Sequence, residues 1–335
     1  MKQVVYIASP ESNQVYAWTL HKDGTLILLQ ILNFNGQIQP MVVSPTKDFL
    51  YMGMRPNFCV LTYRIADDGT LSLVSEAALP GSPTYISTDR QGKYLFCSSY
   101  NDCCLSVNPI DHNGLPQLPI QVIRNLLGCH SVQINPTNQK LFVPALKEDR
   151  IYMFQLNSNG MLLSEKQKYL SAIKGSGPRH IVFHPNGNYV YCIHELDSTV
   201  TVWRVNNLDK YVECIQRIDM MPKNFHICWA SDIHITPNGK FLYTCDRTNN
   251  IITTFRILKD GAMLVIIGLQ LTEMQPRGFN IDKTGQYLLL AGQKSNHVQV
   301  YKIKKCGLLT PIMRYFVGKG PMWIVIHELK NNLLQ

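Results

Sequence analysis

The chain has 335 residues, 45% of them hydrophobic and only 16% charged, so it can bury a sizeable core and is excluded from the disordered class. Its 32 Lys and Arg outweigh 23 Asp and Glu, and the formal net charge of +9 suits an anionic partner. Much of that charge is scattered, solvated Lys, and no Lys/Arg-rich run of the kind that grips a phosphate backbone occurs; the expected partner is a small anion, not nucleic acid.

The N-terminal Met1–Ala8 carries one Lys and a short apolar run that is broken at Ser9-Pro10-Glu11. That run is too short for the apolar region of a secretory signal, and no later stretch approaches a membrane span. Val4–Ala8 and Gln14–Trp18 then read as two strands. From Val42-Val43-Ser44-Pro45 onward one pattern recurs: a short apolar strand, a polar turn, a second strand built on an aromatic-apolar triplet, a polar loop, and a third strand ending in an aromatic residue. The triplets are Phe49-Leu50-Tyr51, Tyr94-Leu95-Phe96, Lys140-Leu141-Phe142, Tyr189-Val190-Tyr191, Phe241-Leu242-Tyr243 and Tyr287-Leu288-Leu289. Their middle residues are separated by 45, 46, 49, 52 and 46 positions. Segments that alternate with period 2 and are rich in Val, Ile, Tyr and Thr predict four strands per unit of a β-propeller instead of helical repeats.

Six units are complete and a seventh is split. Gly320–Ile326 reads as a first strand with nothing after it, while Val4–Ala8 and Gln14–Trp18 read as later strands with no first. Joining them closes a ring and leaves no open sheet edge. The expected fold is all-β: a single seven-bladed β-propeller over residues 1–335, with its last blade closed by N- and C-terminal strands. An open array or a two-domain α/β enzyme is the alternative, but no long amphipathic helix supports it.

The ten cysteines lie mostly inside apolar strand-like runs, such as those of Cys97, Cys192 and Cys245, with no C-x-x-C pair. Reduced, buried thiols in a cytoplasmic protein are expected, and packing is the better reading even for the adjacent Cys103 and Cys104.

The repeat also predicts which residues share a face. At the start of strand one the equivalent positions are Gln39, Thr84, His130, Arg179, Ser231, Arg277 and Met322. In the loop after strand two they are Pro10, Arg55, Ser99, Leu146, Glu195, Arg247 and Gln293. The turns Pro185-Asn186-Gly187 and Pro237-Asn238-Gly239 fall on the opposite face. A structural repeat needs only small or apolar side chains at such sites. Four Arg, one His and one Glu converging on one channel mouth are costly unless they meet a ligand or each other.

Taken in chain order, His130 stands in the ring beside Arg179, whereas His184, His234 and His297 read as satisfied core histidines. Arg179 and Arg277 each follow a Pro that sets the backbone, and their forked guanidinium suits phosphate or carboxylate. Either one alone reads equally well as a salt bridge between blades; two at equivalent positions favour a ligand. His180 points elsewhere if its strand is regular. Glu195 is the only acid in the second column and reads as a general base for water or as a counter-ion to Arg179. Arg247, Gln293 and Lys294 add two cations and an amide, Lys294 reading also as a solvated loop residue, and Trp323 is placed to floor a sugar ring or to pack the core. The chain has no Gly-x-Ser-x-Gly elbow, phosphate-binding Gly-Lys-Ser/Thr loop, His-Glu-x-x-His or dinucleotide fingerprint, so chemistry without a metal, cofactor or nucleophilic serine is expected.

The run Gly175–Pro185 with Glu195-Leu196-Asp197-Ser198 resembles the bacterial seven-bladed β-propeller lactonase (cycloisomerase 2) family. So do Gly128-Cys129-His130-Ser131, Asp246-Arg247, Pro276-Arg277-Gly278-Phe279 and Ala291-Gly292-Gln293-Lys294-Ser295, as well as the opening Tyr6–Ser12 and Trp229–Pro237. The similarity runs nearly end to end. It implies hydrolysis of 6-phospho-D-glucono-1,5-lactone to 6-phospho-D-gluconate in the oxidative pentose phosphate pathway; independently of the resemblance, a monomer without membrane or nucleic-acid partners is expected. In a fungal muconate lactonizing enzyme of the same fold, the catalytic His, Arg, Glu and Arg look equivalent to His130, Arg179, Glu195 and Arg247. The departure is His194, where the resemblance leads one to expect a smaller polar residue such as Asn. The reaction expected from the resemblance uses Glu195 or His130 as base, Arg179 and Arg247 at the oxyanion, and Arg277 and Lys294 at the phosphate; Gln293, His180 and Trp323 complete the binding set. A lactone-forming cycloisomerase and a non-catalytic binding platform are the competing readings.

Overall fold

The computed structural model describes residues 2–205, 211–222 and 227–330. Their strands assemble into seven antiparallel four-stranded sheets, each packed on the next to make a ring. The innermost strands of blades one to seven are Gln37–Val43, Tyr85–Thr88, Gln133–Ile134, Pro178–Phe183, Ala230–Ile235, Pro276–Ile281 and Trp323–Glu328. The last of these pairs antiparallel with Gln3–Ser9, from Gln3 opposite Glu328 to Ala8 opposite Trp323, so the two ends of the chain share blade seven as the repeat predicts.

The recurring triplets sit on the second strand of each blade, such as Tyr94–Ser99 and Phe241–Asp246, which is covered on both faces by adjacent blades. Leu50, Leu95, Leu141, Val190, Leu242 and Leu288 are accordingly buried, and these segments read as nearly continuous apolar runs. The outermost strands, such as Leu71–Ala78, bury few residues and carry the polar alternation.

Neighbouring blades are stitched by a repeated hydrogen bond. The hydroxyls of Tyr6, Tyr51, Tyr191 and Tyr243 donate to the carbonyls of Gly69, Gly114, Gly261 and Gly307 at 2.7–2.9 Å. Each acceptor lies in the hairpin turn joining the outer two strands of the next blade. The buried phenol therefore has a partner while its ring fills the seam.

One irregularity positions the site. The inner strands of blades one, four, five and six slip in register against their second strands, at Ile38/Met41, Pro178/His180, Ala230/Ile233 and Pro276/Gly278. An extra residue in such a bulge breaks the in-out alternation. Consecutive side chains can then face the channel together.

Candidate functional site

A cavity of about 250 Å³ opens at the channel mouth predicted from the two columns. Its wall includes Gln39, Thr84, His130, Arg179, Arg277 and Met322 from the strand-one column, and Arg55, Glu195 and Arg247 from the loop column. All seven blades contribute. Four guanidiniums meet two carboxylates, those of Glu195 and Asp232, so two positive charges are left uncompensated by acids of the wall.

Arg179 is delivered by a locally constrained turn. Gly177 has φ +66 and a Cβ there would lie 2.8 Å from Leu196 Cγ, so only glycine fits. The Asp149 carboxylate accepts the backbone N–H of Gly175 and Gly177 at 2.7 and 2.8 Å, and Pro178 then fixes φ ahead of the arginine. In blade six Gln275 plays the part of Gly177: it has φ +54, its N–H donates to Asn250 Oδ1 at 2.6 Å, and Pro276 and Arg277 follow.

The charges pair selectively. Arg179 is 2% exposed and donates from Nε to Glu195 Oε2 at 2.6 Å. Its Nη1 donates to the Ser231 carbonyl and to His180 Nε2, the latter at 3.2 Å. Arg247 Nη2 reaches the same Glu195 oxygen at 2.9 Å and the Ala230 carbonyl at 2.9 Å, while its Nε donates to the Trp229 carbonyl at 3.2 Å. Its guanidinium lies 3.7 Å over the Trp229 ring, whose Nε1 donates to Glu195 Oε1 at 3.2 Å. Among the described residues, Arg179 Nη2 and Arg247 Nη1 have no protein acceptor. Arg55 is spent on the Pro83 carbonyl, at 3.0 and 2.6 Å, and on Thr84 Oγ1 at 3.2 Å. The Arg277 guanidinium has no ion pair or hydrogen bond to the described residues, although it lines the same wall.

Burial and crowding shape the ionisation. Burial alone would raise the Glu195 carboxyl, but Arg179 and Arg247 outweigh it and hold the group below its ordinary value. Burial, with Arg179 beside it, lowers Arg247 to about 9 and Arg277 to about 10. The same two causes push His180 down to about 4 and His130 well below its ordinary value, so both imidazoles are neutral. Their rings are 5.1 Å apart. Neither ring nitrogen of His130 has a hydrogen-bond partner among the described residues, and Nδ1 is buried.

His180 shares the cavity with Arg179 because of the bulge at Pro178/His180; the regular strand that would turn it away is absent. Its Nδ1 faces Asp232 Oδ1 at 2.8 Å. Trp323 forms part of the cavity wall, with Nε1 donating to the Met41 carbonyl at 2.9 Å and its ring 5.2 Å from that of Tyr85. Gln293 and Lys294 are not brought to this wall. They line a separate cavity of about 320 Å³ with Glu11, Gln275, Asn296 and Lys319, and Gln293 is tied to Gln275 at 3.0 Å. His194 turns into its blade, bonded to Ser176 and Thr201, and takes no part in the wall.

Four wall residues escaped the sequence reading: Tyr100, Asn101, Trp229 and Asp232. Tyr100 and Asn101 lie just past the Ser99 column position and Trp229 just before the blade-five inner strand. A search of one residue to either side of each column would have found Tyr100 and Asp232. Among the described residues no group of three His, Cys, Asp or Glu is arranged to hold a metal ion, and no helix is long and apolar enough to cross a membrane.

A family model described as a seven-bladed β-propeller lactonase matches residues 4–326. Two relatives named 6-phosphogluconolactonase, from Erwinia tasmaniensis and Klebsiella pneumoniae, are 55% and 53% identical to the chain. Each alignment takes in 98% of this chain, with 100% of the first relative and 99% of the second. Among solved structures, the periplasmic gluconolactonase of Pseudomonas aeruginosa matches with a TM-score of 0.92 at 21% identity, covering 98% of this chain and 100% of that one. A likeness at that identity speaks for the fold alone.

Proposed function

The chain belongs to the seven-bladed β-propeller lactonase family, and we propose that it hydrolyses 6-phospho-D-glucono-1,5-lactone to 6-phospho-D-gluconate at the arginine-lined mouth of its channel. The observation that carries this reading is the wall itself. Two uncompensated positive charges, two guanidinium nitrogens without acceptors and an unpartnered neutral imidazole converge on one small cavity. That set matches a dianionic phosphate, a carbonyl that must become an oxyanion, and a water that must lose a proton.

In this mechanism the lactone enters with its phosphate on Arg277, the wall guanidinium with neither an ion pair nor a hydrogen bond to the described residues. Arg179 Nη2 and Arg247 Nη1 address the C1 carbonyl oxygen, and Glu195 holds both arginines in place. His130 takes a proton from the attacking water as its oxygen bonds to C1. A pre-oriented donor at the developing oxyanion contributes on the order of 3 kcal/mol to the transition state. The tetrahedral intermediate then expels the ring oxygen, which receives the proton held on His130 and becomes the C5 hydroxyl. The new carboxylic acid ionises and gives its proton to solvent.

Of the two candidate bases, His130 is favoured by geometry. The Glu195 carboxylate already accepts from two guanidiniums and an indole, and those contacts lower its basicity. Trp323 lies across the wall as an apolar surface for the sugar ring. Lys294, in the neighbouring cavity, adds to the positive field around the mouth. We read the protein as a monomeric cytoplasmic enzyme, in keeping with ten free cysteines of which six are buried.

The deciding experiment follows freshly generated 6-phosphogluconolactone with and without protein, corrected for spontaneous opening. Acceleration that disappears in Arg179→Ala is the expected result; no acceleration by folded protein would overturn the assignment.

A further inference from the structure

Asp232 is a buried carboxylate that no part of the mechanism above uses. It lies at the floor of the mouth cavity, where His180, Asp232, Met322 and Trp323 separate it from a larger cavity of about 670 Å³ toward the other end of the channel. Four donors surround it. Oδ1 faces His180 Nδ1 at 2.8 Å and accepts from the Ile233 N–H at 3.0 Å; Oδ2 faces His234 Nε2 at 3.2 Å and accepts from the Phe279 N–H at 3.1 Å. A carboxylate with that company only accepts.

From this geometry we infer that Asp232 is a positioning residue for Arg179 and acts through His180. Asp232 obliges His180 to carry its proton on Nδ1, which leaves a lone pair on Nε2. Arg179 only donates, and its Nη1 lies 3.2 Å from that lone pair. The guanidinium plane of Arg179 is thus held by three acceptors, Glu195 Oε2, His180 Nε2 and the Ser231 carbonyl, leaving Nη2 without an acceptor among the described residues. In the opposite tautomer an N–H would face an N–H, and Arg179 would have to swing away. A carboxylate that fixes an imidazole tautomer is a recurring device where the far nitrogen has work to do. Here that work is to aim an arginine.

The inference rests on the lactonase reading for its kinetic consequence but not for its structural one, so two measurements separate them. The first is the ¹⁵N spectrum of the His180 ring in the wild-type protein, assigned by its loss in His180→Gln. The expected signature is a neutral ring protonated on Nδ1, changing to the Nε2–H form in Asp232→Asn. A wild-type ring protonated on Nε2 overturns the inference, and this reading needs no variant of Asp232 if that variant fails to fold.

The second is a double-mutant cycle on lactone hydrolysis. Asp232→Asn is expected to lower kcat at least tenfold with KM changed less than threefold. In the His180→Gln background, where a glutamine amide oxygen can accept from Arg179 unaided, the same substitution should change kcat less than twofold. Multiplicative losses would show that Asp232 acts independently of His180 and sink the proposal. Absence of lactone hydrolysis in the wild type would instead count against the lactonase reading and leave the tautomer result to decide this one.

Discussion

Glu195 Oε2 accepts Arg179 Nε at 2.6 Å, from a guanidinium that is 2% exposed, and the same oxygen accepts Arg247 at 2.9 Å. A single carboxylate oxygen therefore anchors both arginines assigned to the oxyanion. Removing its charge leaves two buried guanidiniums sharing no counter-ion, a costly arrangement.

Glu195→Gln is accordingly expected to lose activity by about 10²-fold through displaced arginines, and stability by up to about 3 kcal/mol, the low end for breaking a buried pair. Activity assays and thermal melts at pH 7 test both. Because folding holds this carboxyl below its ordinary value, its contribution is complete above the unfolded value of 4.5 and fades as pH falls through the folded one. The gap in Tm between wild type and variant should therefore narrow below about pH 4.5.

His130→Gln should lower kcat about 10²- to 10⁴-fold, the usual range for a general base, with little change in KM. Since folding keeps His130 and His180 neutral, kcat at saturating lactone, which the ionisation of the free substrate's phosphate near pH 6 does not enter, should stay flat on the acid side through pH 6. A fall centred near 6.5 would contradict the neutral-imidazole arrangement. The linkage to stability has the opposite sense from a paired histidine. The unfolded chain takes up these protons first, so stability is complete above about pH 6.5 and declines as pH drops below it.

Arg277→Ala should raise KM for 6-phosphogluconolactone at least tenfold and for unphosphorylated gluconolactone less than threefold. Lys294→Ala, altering a residue of the neighbouring cavity, should change either value less than twofold. Equal effects of Arg277→Ala on the two substrates would remove its phosphate role.

Tyr243→Phe keeps the ring and deletes the hydroxyl that donates to the Gly307 carbonyl at 2.7 Å. A buried carbonyl left without its partner costs about 1–3 kcal/mol, so denaturant midpoints should fall while kcat and KM stay as in the wild type.

The ring was legible in the sequence because a two-sided buried strand repeats every 45 to 52 residues, and each copy bears a triplet centred on Leu or Val. The split blade was legible for the same reason: each end of the chain held the strands that the other lacked. The columns brought together most of the mouth, but they rest on strict alternation. Bulges at Pro178/His180 and Ala230/Ile233 break that alternation, and they put His180 and Asp232 where a regular strand would not. In the loop column, reach decided the outcome. Arg55, Glu195 and Arg247 have the length to come to the cavity, while Pro10 and Leu146 open short 3₁₀ turns and Ser99 is held by Asp102. Gln293 is long enough, but its amide is tied to Gln275 outside the mouth. Such lateral ties have no periodic signature.

Closure of blade seven by Trp323–Glu328 against Gln3–Ser9 makes the ring depend on a pairing between the two ends of the chain. The wall residues are spread over the full circumference, so the distances between those of blades that do not touch are set by the ring's diameter. Loosening that one seam would let spacings across the ring drift together, Arg179 to Arg277 as much as His130 to Trp323. Turnover thus doubles as a gauge of circumference, because the guanidiniums assigned to the phosphate and to the oxyanion stand in different blades.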